Sequence, residues 1–155
     1  MKNLQTWLSE YSRSHRNKTN KIIHWICVPS IMFSILALLS LVEIPILRQW
    51  LPVEISNLAT IGIFLSLLFY LRLSFAMFIG MGLLSLLCYK GIFILDQLDN
   101  KFEIALGIFV IAWIIQLIGH KIEGKKPSFF KDLQFLLIGP AWLISFIYKK
   151  LGIKY

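Results

Sequence analysis

Residues 22–42 read IIHWICVPSIMFSILALLSLV, a run of 21 residues that carries no Lys, Arg, Asp or Glu. As a helix rising about 1.5 Å per residue it reaches roughly 30 Å, the thickness of a bilayer's hydrocarbon core. The rest of the chain agrees with that solvent. Apolar residues make up 57% of the 155, and the mean hydropathy is +0.73. One core of this size cannot hide so much apolar surface from water. The reading is an all-α, polytopic membrane helical bundle, folded as a single integral membrane domain over residues 1–155.

Further apolar segments fall at 55–71, 73–95, 104–119 and 133–148. Between 55 and 95 the only charges are Arg72 and Lys90, and 41 residues are too many for one crossing, so two spans joined near Arg72 are expected. Segment 104–119 is interrupted only by Gln116. With 22–42 these make four spans. The last segment has 16 residues with Gly139 and Pro140 at its middle, which predicts a kinked or half-inserted C-terminal helix.

Residues 1–21 are polar. Within them LQTWLSEYS (4–12) sets Leu4, Trp7, Leu8 and Tyr11 at helical spacing. That predicts a short amphipathic helix lying on the membrane surface. SHRNKTN (14–20) breaks it, and Asn17 or Thr19 can cap the helix that follows. EIPILRQWLPVEIS (43–56) reads as an interfacial loop. No cleavage site follows the first apolar run, so no signal peptide is read.

The formal charge is +8, but the basic residues cluster between apolar runs and accompany no nucleic-acid module, so no nucleic-acid partner is expected. The N-terminal segment holds Lys2, Arg13, Arg16, Lys18 and Lys21. The loop 120–132 adds Lys121, Lys125, Lys126 and Lys131, and the tail Lys149, Lys150 and Lys154. The loops 43–54 and 90–101 hold Arg48, Lys90 and Lys101 beside Glu43, Glu54, Asp96 and Asp99. The bias of Lys and Arg toward the cytoplasm puts the N-terminus, Arg72 and the loop after His120 on that side. The absence of an added targeting extension reads as a bacterial inner membrane, or the endoplasmic reticulum in a eukaryote. Cys27 and Cys88 are read as buried thiols, and Trp7, Trp25, Trp50, Trp113 and Trp142 as interface belts or packing.

This topology brings His15, His24 and His120 to one face, although His120 lies far along the chain from the other two. Asn20 and His24 share a helical face, and so do Gln116, His120 and Glu123. His15 joins them only if the chain turns within 14–20. Polar side chains at a membrane boundary usually face a protein interior. Three imidazoles with the Glu123 carboxylate form a candidate metal site. Imidazole suits Fe, Zn and Cu, while a mixed histidine and carboxylate set with open positions suits Fe(II) and O2 chemistry. Asn17, Asn20 and Gln116 are candidate orienting groups around the ligands. The same residues also fit plain capping and surface pairing, with Glu123 bound to Lys121 or Lys126.

Two blocks, YSRSHRNKTNKIIHWICVPSI (11–31) and WIIQLIGHKIEGKKPSFFKDLQFLLIGPAW (113–142), carry a resemblance. The pattern Tyr-Ser-x-x-His-x-Asn-x-x-Asn-x-x-x-His with Val-Pro after it, paired with Gln-x-x-Gly-His, resembles the membrane-bound 2-hydroxy fatty acid dioxygenases, a family of fungi and bacteria. The resemblance implies Fe(II)-dependent fatty-acid α-oxidation that relies on histidines. It implies His15, His24 and His120 as metal ligands and Glu123 as a fourth ligand or a base. Asn17, Asn20 and Gln116 would orient the substrate. The implied partners are a 2-hydroxy fatty acid, O2 and membrane lipid, with Lys125, Lys126 or Arg16 drawing the carboxylate to the membrane surface. The alternatives are a zinc-dependent lipid hydrolase and a non-catalytic membrane protein that binds a lipid or a partner chain.

Overall fold

The structure is a computed structural model that describes residues 3–124 and 135–155. Asn3 opens the first helix, α1 (Leu4–Arg13), by accepting a hydrogen bond from the Thr6 N–H at 2.9 Å. The apolar stripe Leu4, Leu8 and Tyr11 is buried, and the C-terminal helix α6 (Ile138–Leu151) packs on α1. Leu4, Leu8 and Tyr11 share one core with Ile138, Trp142 and Leu143. The stripe therefore faces protein, which corrects the expected helix with its apolar side in lipid. Helical spacing alone does not tell the two coverings apart.

The helix α2 (Lys18–Leu39) starts at Asn17, whose side chain accepts from the Thr19 and Asn20 N–H groups at 2.8 and 3.3 Å. It is followed by a loop with two short 3-10 turns, Pro45–Gln49 and Val53–Ile55. That loop is closed at its base by Ile44 N–H to Ser56 O and Leu58 N–H to Val42 O, both 2.9 Å. α3 (Leu58–Leu73) and α4 (Phe75–Leu95) are separated by one residue, Ser74. Ser74 is fully extended at φ −168° and ψ 134°, a conformation open to any L residue. Its N–H closes α3 on Tyr70 O, and its hydroxyl accepts from the Met77 N–H to open α4. The chain thus turns two residues beyond Arg72 without Gly or Pro. α5 (Lys101–Ile122) completes the long helices.

α2, α4 and α5 are long and apolar enough to cross a membrane, whereas α3 is a shorter apolar helix of 16 residues. Large apolar side chains such as Ile26, Phe64, Leu86, Ile111 and Ile114 point outward, as lipid-facing residues do. α2 lies along α5 and α3 along α4, while α6 packs on α4 as well as α1. One core cluster gathers Tyr11, Val28, Tyr70, Met81 and Trp142, and a second gathers Leu36, Ala59, Ile92 and Ala105 at the other end of α2. Both cysteines are buried and free.

Gly139 and Pro140 lie in the first turn of α6, so they do not kink it. Nitrogens of a first turn have no intrahelical acceptor, and Pro loses nothing there. The helix continues unbroken to Leu151. Lys125, Lys126, Lys131 and residues 133–134 lie outside the described residues.

Candidate metal centre

Three pieces of chain meet where α1 ends, α2 begins and α5 ends. The first helix closes at Ser14, and the His15 N–H bonds back to Ser12 O at 3.1 Å. Asn17 then restarts the chain as α2, so His15 sits in a short arm between two helices. This is the turn that the polar stretch 14–20 permits. His24 stands two turns into α2, and His120 lies in the last turn of α5. All three histidines are buried, His24 completely.

The ring nitrogens are oriented. His15 Nδ1 lies 2.7 Å from Tyr11 O, and His24 Nδ1 lies 2.9 Å from Asn20 O. A carbonyl oxygen only accepts, so each Nδ1 carries the proton and donates it. The lone pair of each ring is then on Nε2, and the two Nε2 atoms face each other at 2.9 Å. Two neutral rings held this way set lone pair against lone pair, a repulsion that either a shared proton or a shared metal cation removes. One ring nitrogen from each of His15, His24 and His120 lies within 4.8 Å of the others.

This donor set fits a transition metal. Two nitrogens 2.9 Å apart subtend about 90° at an ion roughly 2.1 Å from each. The longer reach is to His120, whose ring centroid is 5.0 Å from that of His24 and 5.5 Å from that of His15. His120 lies at the C-terminal end of α5, and His15 lies just past that of α1. The partial negative charge of two helix C-termini favours a cation between them.

Glu123 takes its donors from the chain just after His15. Its Oε1 accepts from the Arg16 N–H at 2.7 Å, and its Oε2 accepts from the Asn17 N–H at 2.9 Å and the Asn20 Nδ2–H at 3.0 Å. Both oxygens clasp the His15 arm, and Glu123 is not among the three residues whose ligand atoms converge. Burial works against its charge, but the Asn20, Arg16 and Asn17 donors outweigh that and hold the carboxyl below its ordinary value.

Asn17 caps α2 and its side chain stays outside the centre. Asn20 is fully buried, and Gln116 is 7% exposed on the face of α5 that carries His120. Among the described residues no donor reaches Asn20 Oδ1 or Gln116 Oε1. Buried acceptors of this kind normally meet a hydroxyl, a water or a ligand.

The support around the histidines was only partly visible in the sequence. Tyr11 stacks on His15 with centroids 4.1 Å apart and planes at 12°. Trp142 is 1% exposed, approaches His15 at 5.5 Å and donates from Nε1 to Ser12 Oγ at 2.8 Å, so it packs the centre and belongs to no interface belt. Gly119 allows α5 to close on α2, since a Cβ there would lie 2.5 Å from Asn20 Oδ1. Tyr11 and Ser12 open the first quoted block and Trp142 ends the second. That placement was the only signal that tied them to the histidines.

The chain matches a family model described as 2-hydroxy-palmitic acid dioxygenase Mpo1-like over residues 1–151. It is 31% identical over 154 residues to the 2-hydroxy-palmitic acid dioxygenase MPO1 of Saccharomyces cerevisiae, covering 96% of this chain and 82% of the yeast protein. No solved structure matches it. The similarity runs through both blocks that supply the histidines, and on that ground the chain belongs to the Mpo1-like family.

Proposed function

We propose that the chain is an Fe(II)-dependent dioxygenase that cleaves the C1–C2 bond of long-chain 2-hydroxy fatty acids. The products are CO2 and a fatty acid one carbon shorter. The observation that carries this reading is the pair of buried Nε2 atoms 2.9 Å apart, each oriented by an Nδ1–H bond to a carbonyl. The name of the yeast relative, a dioxygenase of a 2-hydroxy acid, supports the substrate class.

His15, His24 and His120 would hold the metal. Bound Fe(II) supplies the redox chemistry that couples the acid to O2. Three imidazole donors suit Fe(II), and the carboxylate and 2-hydroxyl of the substrate would approach from the side that the histidines leave open. The chain's own residues do the rest. Gln116 Oε1 and Asn20 Oδ1 accept from the 2-hydroxyl or from a water beside it. Glu123 positions His15 by holding the arm, and Asn17 fixes where α2 begins. Arg16, with Lys125 and Lys126, draws the carboxylate to the membrane surface. The reaction balances without a further reductant. C1 is oxidised by one level and C2 by three, so four electrons leave the acid and reduce one O2, with water as the other product.

In the bilayer, α3 is the fourth crossing and α6 is half inserted. The N-terminus faces the cytoplasm of a bacterial inner membrane, or of the endoplasmic reticulum in a eukaryote. Purified protein loaded without oxygen is expected to bind about one Fe(II) per chain and to shorten a 2-hydroxy acid when O2 is admitted. Replacing His15, His24 or His120 by Ala should abolish both. A triple-alanine protein that still shortens the acid would overturn the assignment.

A further inference from the structure

A cavity of about 220 Å³ lies between α2, α3, α4, α5 and the stretch 135–140 that opens α6. One end is at the histidines. Tyr11, which stacks on His15, lines it there, as do Val28, one turn beyond His24, and Gln116, one turn before His120. The other end is at Leu39 of α2 and Gly62 of α3. The walls between are mainly apolar, with Met32 and Ile35 on one side and Ile63 and Met81 on the other. Val28 and Leu39 are 11 positions apart on one helix, which is about 16 Å.

We infer that this cavity is the channel for the substrate's alkyl chain, and that Gly62 and Leu39 form the floor that sets the longest chain accepted. The inference rests on the proposed function for the identity of the polar head group alone. The deep wall is mainly apolar, its Ser66 hydroxyl already donates to Gly62 O at 2.7 Å, and the unpartnered acceptor Gln116 Oε1 lies near the metal end, so a polar head group is better served there than at depth. A single extended alkyl chain fits the cavity, with its polar end at the histidines. Such a chain advances about 1.25 Å per carbon, so 16 Å takes roughly a dozen methylenes beyond the head. The floor is open because residue 62 has no side chain. A Cβ there would meet only Leu39 Cδ1, at 3.7 Å, so a longer side chain extends into the cavity.

The test is binding in lipid nanodiscs of the full chain. A fluorescent fatty acid is displaced by the series from 2-hydroxydecanoic to 2-hydroxystearic acid, without O2. Gly62→Leu should weaken the longest acids by roughly 10- to 50-fold, the value of two to three methylenes excluded from burial, and change the decanoic acid by less than about 2-fold. Leu39→Ala should move the optimum toward longer acids. Gly107→Leu, on α5 where an added Cβ meets nothing within 4 Å, is the control at a glycine outside the cavity. An unchanged length profile in both Gly62→Leu and Leu39→Ala overturns the channel. So does an equal loss at every length in Gly62→Leu, with Leu39→Ala unshifted. If Gly62→Leu does not fold, Leu39→Ala decides alone. Iron is measured on the same samples. A length shift in protein that binds no iron keeps the channel and removes the dioxygenase reading. Stoichiometric iron with a flat profile does the reverse.

Discussion

Replacing Glu123 by Gln separates a clasp from a ligand. Three N–H groups converge on this carboxylate at 2.7, 2.9 and 3.0 Å. Hydrogen bonds to a charged acceptor contribute about 1.5–3 kcal/mol each, and partial exposure puts these at the lower end. Gln keeps one oxygen, which can take the place of Oε2 and accept from Asn17 and Asn20 as a neutral group. Its amide then sets a donor against the Arg16 N–H. One bond is lost and two are weakened, a total of about 2–4 kcal/mol. Tyr11 and Trp142 still hold His15 from its other side, so only part of this loss reaches the metal. We expect Fe(II) to bind about 10- to 100-fold more weakly, as for other partners that orient a ligand. The stoichiometry at saturating metal should stay at that of the unaltered protein. The assay is anaerobic titration of Fe(II) against a competing chelator. Two results would refute the reasoning. A Glu123→Gln protein that cannot be saturated, as expected for His120→Ala, would make the carboxylate a ligand. An affinity equal to that of the unaltered protein would mean that the clasp does nothing for His15.

Three more outcomes follow from the same geometry. Gly119→Ala sets a methyl 2.5 Å from Asn20 Oδ1 and 3.1 Å from Ile23 Cγ2, in a place where Asn20 is fully buried. Overpacking should cost about 1–3 kcal/mol and shift His120 away from α2, read as a lower Tm together with weaker iron binding. Tyr70→Phe removes a hydrogen bond of 2.6 Å to Leu137 O and leaves that carbonyl to find another donor, so Tm should fall by the equivalent of about 1–2 kcal/mol with iron stoichiometry unchanged. The third is a pH effect in metal-free protein. Glu123 titrates below the ordinary carboxylate value when folded, so its contribution is full above that value and fades as pH falls through the depressed one. The Tm difference between the unaltered protein and Glu123→Gln should therefore be constant near neutrality and shrink in acid; a difference that grows in acid would contradict the sign.

Periodicity and charge made part of this fold legible. An apolar run of spanning length announces a helix whatever packs on it, as α2, α4 and α5 show. What periodicity cannot carry is the identity of the covering surface. The stripe of Leu4, Leu8 and Tyr11 looks the same under lipid as under Trp142. The break at Ser74 was visible only as an excess of length, because an extended serine has no compositional signature. Gly139 and Pro140 look like a kink in the middle of an apolar run, yet they open a helix, and the difference lies in where the preceding turn ends. At the centre, the three histidines that converge could be counted from the sequence. The hydrogen bonds of Glu123 could not, because a carboxylate beside a candidate ligand has the same spacing whether it binds metal or backbone N–H groups.

That carboxylate also explains why a centre built from two distant blocks can be stable at all. His24 and His120 are held by α2 and α5, which pack along each other, with Gly119 closing the gap above Asn20. His15 belongs to neither helix. Its position depends on where α1 ends, on the cap at Asn17 and on Glu123, which grips the Arg16 N–H from 107 positions further along the chain. Asn20 joins the two systems, because its backbone carbonyl orients His24 while its side-chain amide donates to Glu123. Docking of the arm and convergence of the imidazoles are therefore one equilibrium. A cation between the rings should stabilise the α1–α2 arm, and a weakened arm should cost metal affinity by the same free energy. The reciprocal measurement is hydrogen exchange at the Arg16 and Asn17 amides. Saturating Fe(II) should slow it in the unaltered protein and slow it less in Glu123→Gln. Exchange that ignores the metal would uncouple the arm from the centre.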